Sequence, residues 1–167
     1  MNKKIVAISG SYRRKGITDQ AVDVILEMLS KEGAETHKVV LLDRHIEFCK
    51  NCRHCTADDP GLRRGKCVSN DDLENVLALV DGADGIVLAA PINFGDVTAV
   101  MKRFIERLIV YGYWPWGMKY PQNRIRKRLK KAVVLTSSGA PAFIGRILMP
   151  SAAKAMKGAA EVMGARV

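Results

Sequence analysis

Four cysteines, Cys49, Cys52, Cys55 and Cys67, fall within nineteen residues of this chain, and no other cysteine occurs. Cys-x2-Cys-x2-Cys is the spacing with which a ferredoxin-type loop wraps three corners of a 4Fe-4S cluster, a distant fourth thiolate completing it. The cationic neighbours Lys50, Arg53, Arg63, Arg64 and Lys66 would favour thiolates and offset cluster charge. Two other readings stay open on the residues alone. Zinc could take all four thiolates, or three with His54, although paired Cys-x2-Cys knuckles are its commoner spacing. The thiols could also hold no metal. In a reducing compartment such density speaks for metal or redox chemistry rather than structural disulfides.

A second stretch, Gly10-Ser11-Tyr12-Arg13-Arg14-Lys15-Gly16-Ile17-Thr18-Asp19, has the composition of an anion site. It offers hydroxyls from Ser9, Ser11 and Thr18, backbone N–H groups freed by Gly10 and Gly16, and three consecutive cations. It lacks the Gly-Lys-Ser/Thr ending of a P-loop and the Gly-x-Gly-x-x-Gly of a dinucleotide loop. A hydroxyl-rich loop of this form suits the terminal phosphate of a mononucleotide such as FMN. The alternative is an ordinary solvated turn capped by Thr18 or Asp19.

These groups need elements to position them. Lys4 to Ser9 is a short β-branched run that reads as a strand buried on both faces. Behind the loop, Ala21, Val24, Ile25, Met28 and Leu29 recur with helical spacing. Val39 to Leu42 predicts a second strand, Gly85 to Ala90 a central third and Lys131 to Thr136 a fourth. Helices are expected from Asp71, with Leu73, Val76, Leu77 and Val80 inward, over Val97 to Val110, and over Ala152 to Met163. Alternating units of this kind build an α/β doubly wound parallel sheet in three layers. Ligands then bind at the carboxyl ends of the strands, so the loops after Ala90 and Thr136 join the phosphate loop. In the first, Pro91 ends the strand and Gly95 lets backbone approach a flat ligand; in the helix behind it Lys102, Arg103 and Arg107 read as solvated charges. A fifth strand is expected where the chain stops at Gly164 to Val167: absent, supplied by a partner, or outside these residues.

At 167 residues one domain over 1–167 is expected, with a cysteine-rich insertion at 49–67. No apolar run is long enough for a membrane span, and the N-terminus reads as a strand rather than a signal peptide, so a cytosolic protein is expected. The net charge of +10 raises nucleic acid as a partner, but the densest cluster, Arg124, Arg126, Lys127, Arg128, Lys130 and Lys131, has few aromatics on which bases could stack. It reads as a solvated face with attraction for anionic cofactors or acidic partners. Tyr111 to Gly117 holds four of the ten aromatics; it walls the site, forms a subunit contact, or folds on its own rings.

Together the three loops resemble the NADPH-dependent FMN reductase family of flavodoxin-like proteins over nearly the whole chain. The resemblance rests on Gly10-Ser11-Tyr12-Arg13 through Thr18, Pro91-Ile92-Asn93-Phe94, Lys102-Arg103-Phe104-Ile105-Glu106-Arg107 and Ser137-Ser138-Gly139. Tyr12, Ile17 and Asn93 stand where the family pattern has Pro, Asn and Tyr. The resemblance implies strand order 2-1-3-4-5 and an FMN phosphate held by Ser9, Ser11, Arg13 and Thr18. It implies an isoalloxazine lined by Pro91, Asn93, Phe94, Gly95 and Asp96, with Ser138 and Gly139 near its far edge. The cysteine segment is similar to that of the iron-sulfur flavoproteins, a branch in which the cluster exchanges electrons with FMN; the last gap is longer here, at little cost in closure entropy. The implied activity is FMN-dependent electron transfer from NAD(P)H or a ferredoxin-type carrier, in a homodimer or homotetramer. Two other classes are a one-electron carrier without NAD(P)H turnover and, remotely, a zinc-stabilised binding module for nucleic acid. No Ser/His/Asp or paired-carboxylate arrangement stands out, and flavin chemistry needs none.

Overall fold

The computed structural model describes residues 2–141 and 149–167. The chain enters as β1 (Lys4–Ser9), α1 (Ile17–Lys31) and β2 (Glu35–Val40), followed by a 3-10 turn at Leu41–Asp43. A one-turn helix α2 (His54–Ala57) interrupts the cysteine segment, and α3 (Leu73–Gly82) leads into β3 (Gly85–Asn93) and β4 (Asp96–Val97). Next come α4 (Ala99–Arg107), a 3-10 turn at Leu108–Tyr111, and the small pair β5 (Gly112–Tyr113) and β6 (Gln122–Asn123). The chain finishes with β7 (Lys130–Ser137), α5 (Ser151–Val162) and β8 (Ala165–Arg166).

The main sheet has the order β2-β1-β3-β7-β8, and all four of these pairings are parallel. Counted as parallel strands this is 2-1-3-4-5, the expected flavodoxin-like order. The period-two alternation of the strands divides the core. Val6, Ile8, Ile86, Leu88 and Ala90 pack with α3, α4 and α5, whereas Ala7, Val87 and Ala89 pack with Val22 and Leu26 of α1. Helices thus lie on both faces, and the two central strands are apolar where they are covered, over Ile5–Ile8 in β1 and Ile86–Ala90 in β3. Among the described residues no helix is long and apolar enough to cross a membrane.

Several boundaries differ from those the sequence suggests. The second strand starts at Glu35 and ends before Leu41, because β2 is the sheet's edge, where Glu35 and His37 reach solvent and Lys38 pairs with Asp19 and Asp23 of α1. Pro91 does not end the third strand: it pairs with Ser137 beyond the end of β1, where its missing N–H breaks no rung to that neighbour, and β3 runs on to Asn93. In α1 the inward stripe is Thr18, Asp19, Val22 and Leu26, while Val24 and Met28 face solvent. Two polar residues at the head of that stripe disguise its register. The helix expected over Val97 to Val110 begins after Thr98, whose side chain caps it at Met101 N–H, and tightens into a 3-10 turn after Arg107. The fifth strand is present as Ala165–Arg166, parallel to β7 beside Lys130 and Lys131.

Part of the basic cluster is structural rather than solvated. Lys130 is buried, and its ammonium donates to the carbonyls of Val80, at 2.7 Å, Asp81, at 3.0 Å, and Ala83. It closes the carboxyl end of α3, where free carbonyls and the negative dipole end favour a cation, and burial pushes its pKa down. Arg124 lies over the Tyr113 ring and donates to the carbonyls of Gly112, Cys55, Asp58 and Asp59.

Candidate functional site

At the carboxyl ends of β1, β3 and β7 a cavity of about 490 Å³ opens between three loops, within the range of small-molecule sites. Ser11, Arg13 and Thr18 line it from the phosphate loop, Pro91 and Asn93 from the end of β3, and Ser138 and Gly139 from the loop after β7. Seven of the eleven predicted cofactor residues therefore share one wall. Ser9 lies fully buried behind the loop, off the cavity surface, and its Oγ has no hydrogen-bond partner among the described residues. That is the state of a donor waiting for an acceptor.

The loop is held open by specific contacts. Gly10 N–H donates to Ala89 C=O at 2.8 Å, extending the β1–β3 ladder by one residue. Any Cβ at Gly10 would lie 2.7 Å from Met101 Cβ, so only glycine lets α4 pack this closely beneath the loop. The Thr98 hydroxyl donates to Gly10 C=O at 2.6 Å, and Thr18 Oγ1 and Ser137 Oγ are 2.7 Å apart, tying the first loop to the fourth strand. No side chain caps α1 at Gly16, which leaves the first N–H groups and the positive dipole end of a fifteen-residue helix to face an anion.

Asp19 would oppose an anion, but its charge is balanced. Lys38 lies 2.6 Å from it and the Lys15 N–H donates to it at 2.9 Å. The Lys38 hydrogen bond, aided by Lys15 N–H and the Arg14 charge, outweighs burial and holds the Asp19 carboxyl below the usual range. A carboxyl depressed in the folded state adds stability that is complete above its unfolded pKa of about 3.9 and fades as pH falls through the lower folded value. Wild-type protein is therefore expected to exceed Asp19→Asn by on the order of 1 kcal/mol at pH 7. Urea unfolding over the acid range should show the gap narrowing as pH falls below about 3.9.

Phe94, Gly95 and Asp96 occupy the β3–β4 hairpin beside the cavity rather than its wall. Phe94 and Gly95 are the two central turn residues, with φ of 50° and 81°, the left-handed pair that matches strand twist. Gly95 adopts this freely. Phe94 does not, and a bulky residue there costs about 1–3 kcal/mol; its ring is entirely exposed. Asp96 pairs with Lys102 at 3.2 Å and accepts Val97 N–H at 2.8 Å.

A second cavity, of about 430 Å³, is lined by all four cysteines together with Lys50, Arg53, Arg107, Trp114 and Trp116. Asn51 and Arg53 have φ of 51° and 58°, and these left-handed residues fold the Cys-x2-Cys-x2-Cys run around the opening. All four thiols are free. Burial, reinforced by Cys67, Cys49 and Cys52, pushes the Cys55 thiol up to about 11. Among the described residues no three His, Cys, Asp or Glu side chains are gathered closely enough to hold a metal ion. A lone zinc with bonds of about 2.3 Å would need its thiolates about 3.8 Å apart; a multinuclear cluster holds them farther from one another.

The aromatic segment walls this cavity. The Arg53 guanidinium lies 3.6 Å from the Trp114 ring centre and 4.5 Å from that of Trp116, a cation between two π faces. Thr56 C=O accepts Trp114 N–H at 2.8 Å and the Thr56 hydroxyl donates to Trp114 C=O at 3.2 Å.

Arg107 is not a solvated charge. It is 1% exposed and donates to Glu47 C=O at 2.6 Å, to both Asp71 oxygens at 2.6 and 3.4 Å, and to Cys67 Sγ at 3.3 Å. Burial pushes the Asp71 carboxyl up, yet Arg107 and the Glu47 and Leu73 N–H groups outweigh it and hold the carboxyl low. Its place in the apolar spacing after Phe104 is the sequence signal for this burial, overridden there by its charge. Gly65 is the other residue that sequence reasoning passes over: it carries the return limb of the cysteine segment past Cys55.

The profile of the NADPH-dependent FMN reductase family matches residues 3–160. An iron-sulfur flavoprotein of Archaeoglobus fulgidus is 37% identical over 112 residues, 67% of this chain and 48% of that protein. The chain spans about half the length of the curated relatives it matches. Among solved structures, an FMN-dependent NADH-azoreductase of Bacillus anthracis in complex with FMN superposes with a TM-score of 0.69 at 11% identity, covering 99% of this chain and 84% of that one. An NAD(P)H:quinone oxidoreductase of Methanothermobacter marburgensis gives 0.66 at 19%, covering 98% and 76%. At these identities the two structures establish the shared fold.

Proposed function

The chain belongs to the NADPH-dependent FMN reductase family, and from that premise we propose that it is an FMN-dependent oxidoreductase that passes electrons through a 4Fe-4S cluster held by Cys49, Cys52, Cys55 and Cys67. The observation that carries the reading is the meeting of the three loops around one cavity, with a hydroxyl-rich, uncapped helix start on one side and small residues on the other. FMN, when bound, supplies hydride and single-electron exchange at its ring system.

The chain's own residues do the rest. Ser11, Thr18, Arg13 and the N-terminus of α1 hold the phosphate, with Ser9 buried behind them. Pro91, Asn93, Gly95 and Asp96 border the ring, Phe94 offers it an exposed aromatic face, and Ser138 and Gly139 admit its far edge. Lys50, Arg53 and Arg107 offset the negative charge of a thiolate-ligated cluster. The helix α4 links the two sites: Thr98 at its start bonds Gly10 and Arg107 at its end bonds Cys67, about 13 Å apart at 1.5 Å per residue.

In this reading residues 1–167 form a single flavodoxin-like domain in a cytoplasmic homodimer or homotetramer, with NAD(P)H as the donor. A second reading, a one-electron carrier fed by a ferredoxin-type protein, is favoured by the shared cysteine cavity; it predicts cluster reduction with little NAD(P)H oxidation.

Arg13→Ala tests the phosphate site. A charge-assisted hydrogen bond contributes about 1.5–3 kcal/mol, so the FMN dissociation constant should rise roughly tenfold to a hundredfold, read by flavin fluorescence titration. Unchanged affinity removes Arg13 from the site.

A further inference from the structure

Arg107 does more than the electron path so far requires. Burying an ion pair costs several kcal/mol per charge before attraction offsets it, and closing the cysteine segment does not depend on that outlay. Its two ends are already joined by His45 N–H to Asp72 at 2.8 Å, by Asp72 N–H to His45 C=O at 2.9 Å, and by Glu47 N–H to Asp71 at 2.8 Å. Asp71 takes its strong contact from Arg107 Nη1, at 2.6 Å. Nη2 is divided between the second Asp71 oxygen, at 3.4 Å, and Cys67 Sγ, at 3.3 Å. Among the described residues Cys67 is the one cysteine whose sulfur accepts from a charged donor.

A guanidinium proton directed at a sulfur, from a guanidinium that is itself buried, stabilises negative charge on that sulfur. Hydrogen bonds to cluster sulfurs and the net charge nearby are among the factors that set cluster potential. Reduction adds one electron to the cluster, taken from reduced FMN or a ferredoxin-type carrier, with no bond made or broken. The form so produced carries one more negative charge.

We propose, resting on the reading that the four cysteines hold a cluster, that Arg107 fixes the Cys67 sulfur and raises the cluster's reduction potential by stabilising the reduced form. Asp71 orients the guanidinium and keeps only part of it, leaving one donor for the sulfur. Arg107 is thus a positioning residue that acts on the cluster through Cys67.

The test is a potential-controlled reduction of the cluster-loaded protein, followed by electron paramagnetic resonance, for the unaltered chain, Arg107→Gln and Arg107→Lys. At the wild-type midpoint, Arg107→Gln should show a reduced-to-oxidised ratio about tenfold lower, equivalent to about 59 mV for a one-electron couple. Arg107→Lys keeps the charge but cannot span both Asp71 and Cys67, so it should fall between the two. Should Arg107→Gln fail to hold the cluster, Arg107→Lys decides by the same readout. Equal midpoints in cluster-bearing variants overturn the proposal, as does loss of the cluster from both, which would assign Arg107 to bracing the loop. Failure of the unaltered chain to take up iron and sulfide is a separate result: it removes the cluster reading itself and this inference with it.

Discussion

Gly65→Ala is expected to destabilise the protein by about 3 kcal/mol, the upper end of overpacking costs, and to lower its melting temperature by about 6–12 °C. A Cβ at this position would lie 1.7 Å from the Cys55 carbonyl oxygen and 2.7 Å from its carbon. Those atoms are backbone and cannot swing aside as a side chain would. Gly65 N–H donates to Val110 C=O at 2.8 Å, and the next residue, Lys66, donates its N–H to Asp58 at 2.8 Å. Backing away from Cys55 would strain both bonds and carry Cys67 out of the cavity. Gly158→Ala is the matched control: it sits inside α5 with nothing within 4 Å of the added carbon, and should gain about 0.5–1 kcal/mol. Calorimetry of both variants checks the pair; a Gly65→Ala protein as stable as wild type would show that the return limb does not need this close approach.

Cys52→Ser should abolish iron and sulfide incorporation while leaving FMN bound. Cys52 is exposed, so a serine there disturbs no packing, and the loss would report ligation alone. It stands between the left-handed residues Asn51 and Arg53 and is the middle corner of a three-corner wrap, for which no spare thiol exists in the chain. Iron and sulfide assays on protein purified without oxygen settle the point. Undiminished iron would exclude Cys52 as a ligand, and loss of flavin instead would make the segment a structural part of the FMN site.

Where these features were legible in the sequence, the reason is periodicity or spacing. The buried runs of β1 and β3 announce a parallel sheet because both faces are covered, and Leu73, Val76, Leu77 and Val80 announce α3 because its stripe contains no polar residue. The site loops follow from the strand ends, and the cysteines from their spacing. The face of α1 is hidden because it opens with Thr18 and Asp19, polar residues buried against Ser137 and Lys38 rather than in apolar packing. Arg107, Lys130 and Arg124 read as surface charges since nothing in their neighbours reveals the carbonyls and carboxylates, distant in sequence, that hold them. Gly65 carries no local signal, its constraint coming from a carbonyl ten residues away. The length of β2 depends on its being an edge strand, a property of the assembled sheet.

If the cavity at the strand ends takes FMN, as proposed, the most direct measurement is the visible spectrum of protein incubated with FMN without oxygen and then freed of unbound flavin. Stoichiometric flavin absorbance retained by the wild type, and lost in part by Arg13→Ala, is the predicted result. A colourless wild-type protein after that treatment would contradict it.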